Sequence, residues 1–120
     1  MRANAIEQVL ETLDTDVLDG GAYLQCRDVA RHLMEIADEV PIGAGTPRLT
    51  VAAAAVYRAD RVLGGEFLTM QQVADAVSAI VETSKDKINR YSAELREEYR
   101  ERAKTDAPSV LRDRGRITVQ

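Results

Sequence analysis

Four consecutive alanines, Ala52 to Ala55, inside the run Leu49-Thr50-Val51 to Tyr57 constrain this chain more than any other feature. Successive helical residues point about 100° apart, so four alanines in a row leave no bulky side chain on any azimuth of that helix. Neighbouring helices can then approach its backbone from every side. The stretch therefore reads as the central helix of a bundle, opening at a Thr50 cap and closing at Gly64-Gly65, where glycine takes the left-handed conformation. Only one Phe, four Tyr and no Trp accompany it, so the core must be filled by Ala, Val and Leu packed closely.

The flanking segments supply the helices that would surround it. Ile6, Val9, Leu10 and Leu13 recur at three- and four-residue spacing and predict a first helix over residues 3–13. Asp14-Thr15-Asp16 and Gly20-Gly21 interrupt the pattern. Val29, Leu33, Ile36, Ala37 and Val40 predict a second helix over 23–40, stopped by Pro41, with 41–47 as a connecting loop. Thr69 precedes Gln72 by three residues, a capping-box spacing, and Val73, Ala74, Val77 and Ile80 or Val81 form the stripe of a fourth helix. Thr83 or Ser84 caps a fifth, in which Ile88, Tyr91, Leu95 and Tyr99 share a face, over about 85–104, ended by Thr105 and Pro108. The fold class is all-α, one five-helix domain over 1–104, with 105–120 an Arg-rich flexible tail.

The chemistry-bearing residues are few. One cysteine, Cys26, and one histidine, His32, provide neither a disulfide nor a zinc cage. Each reads more simply as structure: Cys26 as a small core or boundary residue, His32 as a partly exposed helix side chain. Gly43 and Gly45 lie between Pro41 and Pro47, but no strand precedes them and no lysine follows at phosphate-loop spacing, so they read as a turn. No nucleophile elbow or dinucleotide fingerprint is present. The expectation is a protein without catalytic centre, cofactor, metal or small-molecule substrate. No 20-residue apolar segment and no leader-like N-terminus occurs, which predicts a cytoplasmic protein without membrane contact.

A net charge of −4 and a pI near 5.0 exclude a uniformly phosphate-binding surface. Any nucleic-acid site must be local. The residues from Thr69 to Lys104 form two helices joined by a polar turn, and Ser84, Lys85, Lys87, Asn89 and Arg90 gather at the start of the second. In helix-turn-helix proteins that end of the recognition helix enters the major groove, its dipole favouring phosphate. The same residues also suit an ordinary capped, solvated helix start, and Asp86 among them favours that plainer reading. Glu94, Glu97, Glu98 and Glu101 alternate with Arg96, Arg100 and Arg102 further along, with Glu98 and Arg102 at pairing distance, and read as a solvated face.

Leu49-Thr50-Val51-Ala52-Ala53-Ala54-Ala55-Val56-Tyr57 resembles the central-helix signature of the cyclin-like repeats of archaeal transcription factor B and eukaryotic general transcription factor IIB. Thr69-Met70-Gln71-Gln72-Val73-Ala74-Asp75 is similar to that family's next helix, and Ile88-Asn89-Arg90-Tyr91 with Glu94-Leu95 to its fifth. The resemblance covers about residues 23–100. It implies a five-helix cyclin fold and DNA contact at Ser84, Lys85, Lys87, Asn89 and Arg90, hence a small promoter-binding transcription regulator. The family's zinc ribbon and second repeat are missing, so the full initiation-factor role is not implied; a homodimer, with Leu95 and Tyr99 as its candidate surface, would supply the second half. About four extra residues between Val77 and Ile88, and Ser78 at the family's turn glycine, imply a re-aimed fifth helix. The alternative is an adaptor that binds the TATA-binding protein or another factor without touching DNA, which suits the acidic charge.

Overall fold

The computed structural model of the protein describes residues 5–13, 20–64 and 68–115, with side chains up to residue 103. Among these it is all-helical, with five helices and no strand: α1 (Ala5–Thr12), α2 (Gly20–Glu39), α3 (Arg48–Val62), α4 (Met70–Ser78) and α5 (Lys85–Gly115). The alanine helix is the centre. α3 packs against α1, α2, α4 and α5 alike, and Ala52, Ala53, Ala54, Ala55 and Val56 are all fully buried. Ile6, Val9 and Leu10 of α1, Leu33 and Ile36 of α2, Val73 and Val77 of α4, and Ile88 and Leu95 of α5 close around it.

Local chemistry sets most of the helix ends. Thr69 accepts from the Gln72 amide at 3.1 Å while its own amide donates to Gln72 Oε1 at 2.9 Å, the reciprocal box that the sequence predicts. Gly64, with φ +81, follows α3, and its amide donates to the Arg61 carbonyl. In the α2–α3 loop Gly43 has φ +74, and a Cβ there would lie 2.6 Å from Val51 Cγ2 and 3.6 Å from the Tyr91 ring. The loop can lie this close to α3 and α5 only because position 43 has no side chain. Arg48 and Asp38 join the two ends of that loop through a bidentate pair of 2.7 and 3.0 Å, which holds the Asp38 carboxyl below its ordinary pKa.

The structure corrects several expected boundaries. Thr50 does not cap α3: the helix begins at Arg48 after Pro47, which makes no side-chain cap. Thr50 lies inside, fully buried, and donates to Thr83 Oγ1 at 3.0 Å, tying α3 to the segment before α5. Gly20 and Gly21 do not interrupt the chain but open α2. α4 stops at Ser78, which leaves Ile80 exposed and Val81 half-buried outside the helix. α5 passes through Pro108 to Gly115 instead of ending before it; a proline marks a helix boundary often, not always. The expected tail thus has helical backbone over 105–115, and residues 116–120, like residues 3–4 of the expected first helix, lie outside the described residues.

Candidate nucleic-acid interface

The start of α5 is fixed from beneath by apolar burial. Ile88 is fully buried and Tyr91 nearly so. The Tyr91 hydroxyl lies 2.8 Å from Thr46 Oγ1 and accepts from Arg90 Nη2 at 3.1 Å, so the phenol joins α5 to the α2–α3 loop. The Thr46 hydrogen bond first, then that from Arg90, hold the phenol below its ordinary pKa against burial. Ser84 is the N-cap in function: its Oγ accepts from the Lys87 amide at 3.2 Å and its carbonyl from the Ile88 amide.

All five sequence-predicted residues, Ser84, Lys85, Lys87, Asn89 and Arg90, are exposed. They stand at the positive end of the α5 dipole, with Glu82 and Asp86 exposed beside them. They do not share one face. Lys85 and Asn89, four residues apart, lie on one flank of the helix, while Lys87 and Arg90, three apart, lie on the other, about 160° and about 140° from Lys85. The Arg90 guanidinium, 5.0 Å from the Tyr91 ring centre, is held on the flank toward Thr46. A helix end with cations on both flanks is suited to a groove, where phosphates of two strands face it from either side. The connection from α4, residues 79–84, is longer than the three- or four-residue turn of a helix-turn-helix.

The other flank meets α3. Arg58 Nε donates to the carbonyl and the Oγ of the buried Ser92 at 3.3 and 3.0 Å, and Ser92 belongs to the Lys85–Asn89 side of α5. Arg58 and Arg61 both lie against the Tyr57 ring, at 5.8 and 4.9 Å from its centre. Sequence reasoning left these arginines aside. The signal was available: two guanidinium side chains three residues apart at the end of a helix whose middle is all alanine and valine must surface on one strip.

The expected dimer surface is corrected. Leu95 is completely buried in the core. Tyr99 is half-buried, with its ring edge-on to His32 at 6.3 Å and 77°, so it joins α5 to α2 of the same chain. Arg102 does the same through Glu39 at 2.7 Å, while also reaching Glu98.

Comparison with family models, curated proteins and solved structures finds no match. The functional reading therefore rests on geometry. Among the described residues no group of three His, Cys, Asp or Glu side chains could hold a metal ion, and no helix is long and apolar enough to cross a membrane. His32 is an exposed side chain 3.8 Å from Glu35.

Cys26 is buried, with Sγ 3.7 Å from the Val56 carbonyl, and burial first, then the charge of Asp60, push its pKa up to about 12. A thiolate is the reactive species, and an ordinary free cysteine titrates near 8.5. At pH 8 the native thiol should react with a chromogenic disulfide on the order of a thousandfold more slowly than the same chain in guanidinium. Equal rates in the two states would show that α3 does not cover Cys26 of α2.

Proposed function

We propose that this chain is a small DNA-binding transcription regulator, built as a single cyclin-like repeat, that contacts promoter DNA through the opening turn of α5. The observation carrying this is the exposed array of Ser84, Lys85, Lys87, Asn89 and Arg90 around a capped helix N-terminus whose base, Ile88 and Tyr91, is locked into the core. Lysine and arginine give phosphate contacts, and Asn89 and Arg90 have the hydrogen-bonding forks that read base edges. The central position of α3 among five helices agrees with the cyclin-like architecture that its sequence resembles. A net charge of −4 favours a second reading, an adaptor for a basic partner such as the TATA-binding protein.

The test is titration of a labelled duplex, followed by fluorescence anisotropy, across a salt series. Each phosphate neutralised contributes about −0.9 to the slope of log K against log salt. Changing Lys85, Lys87 and Arg90 together to alanine should flatten the slope by about 2–3 relative to the parent. A parent protein that leaves the duplex free even at low salt sinks the DNA reading and leaves the adaptor.

A further inference from the structure

Lys85, Asn89, Ser92 and Arg96 follow one another at four, three and four residues, so they lie in a single strip of α5 that faces Arg58, with Lys85, Asn89 and Arg96 exposed and Ser92, bonded to Arg58, buried. The strip runs about 16 Å from Lys85 to Arg96. Arg58 crosses from α3 to its middle, and Arg61 stands beside Arg58 on the shared Tyr57 ring. We propose that Arg58, Arg61 and Arg96 form a second anion site, a clamp for the phosphate backbone of duplex DNA that continues the α5 edge from Lys85 onto α3.

This proposal rests on the DNA reading and extends its footprint. Three guanidinium groups of like charge converge here on two helices. Among the described residues neither Arg58 nor Arg61 forms an ion pair; Arg58 bonds only through Nε to Ser92, and Arg61 only through Nη2 to the Leu68 carbonyl at 2.9 Å. Arg96 touches a carboxylate only at Glu97, 3.5 Å away, on a residue that also meets Arg100 at 3.8 Å, an exposed and therefore weak arrangement. Burial, then the charge of Arg96 and to a smaller degree that of Arg61, push the Arg58 pKa down, with Tyr57 acting the other way. Like charge thus adds to burial in disfavouring the charged Arg58 guanidinium. A bound anion relieves that repulsion. A chain of phosphates fits better than a single small anion, because Lys85 and Arg96 at the two ends of the α5 strip are separated by about 16 Å, or four or five phosphate steps of about 3.4 Å of duplex axis, and guanidinium forks bind phosphate bidentately.

The experiment compares the parent with Arg96→Gln, Arg58→Lys and Arg58→Gln in the same salt-series titration, alongside thermal unfolding of each variant. Arg96→Gln should flatten the slope by about 0.9, and Arg58→Gln likewise, while Arg58→Lys keeps the slope because it keeps the charge. Arg96→Gln should also leave the melting temperature unchanged or raise it, since it removes a repulsive neighbour; a merely structural arginine would lower it. If the parent binds steeply, the Lys85, Lys87 and Arg90 variant loses that slope, and Arg96→Gln and Arg58→Gln do not, the clamp is overturned while the α5 interface stands. A parent that binds no duplex overturns both.

Discussion

Leu95→Ala will lower the free energy of unfolding by about 2–5 kcal/mol, the range for truncating a buried leucine that leaves a cavity. Leu95 is completely buried, on the α5 face that packs against α3, where its side chain would make dozens of dispersion contacts. Against a typical total of about 5–15 kcal/mol, such a loss is a large fraction of the stability. Urea unfolding followed by circular dichroism measures it. The same experiment separates core from interface. A core leucine gives a midpoint shift that is the same at every protein concentration, whereas a leucine at a subunit contact gives a shift that depends on concentration and a change in elution volume. A concentration-dependent midpoint in the parent that vanishes in the variant would restore the surface role that the sequence suggests.

That leucine shows where sequence reasoning reaches its limit. Ile88, Tyr91, Leu95 and Tyr99 share a face by spacing, and spacing is all that periodicity reports. It does not say whether the face meets its own chain or another. Here that face is buried over the first three turns of α5 by α3 and the loop at Gly43 and Thr46, and the contact continues along α2 through Tyr99 and Arg102. The covering surface comes from residues distant in the sequence, Arg58 and Ser92 being 34 positions apart, so no local window could reveal it.

Signals that act within a few residues were legible. The Thr69 and Gln72 box, the Gly64 closure and the Ser84 cap each depend on backbone groups three or four positions away, and each forms. Thr50 has the residue type of a cap but not the place, because Pro47 already stands where α3 begins and Thr50 finds a partner in Thr83, across the bundle. The same contrast runs through the candidate site. Exposure of Lys85, Lys87 and Arg90 follows from their places off the helix face that Ile88 and Tyr91 bury. The division into two flanks follows from helical geometry. The meeting of Arg58 with Ser92 does not follow from either, since it depends on how α3 and α5 cross.

The alanine run makes the sharpest claim about α3, and substitution tests it directly. Ala53→Leu and Ala54→Leu should each destabilise the protein by about 1–3 kcal/mol or more through overpacking, measured by urea unfolding beside Ala103→Leu, an exposed α5 position expected to stay within about 0.5 kcal/mol. Leucine nearly equals alanine in helix propensity, so a large loss cannot come from the backbone. It must come from side-chain volume with nowhere to go. Residues 53 and 54 point about 100° apart, and an ordinary amphipathic helix would open one of those directions toward the rim of its polar face. In α3 both are closed, because α1, α2, α4 and α5 all pack against it and every alanine of the run is fully buried. Near-parent stability in either leucine variant would mean that one side of α3 is open, and the five helices would then have to be arranged around some other centre.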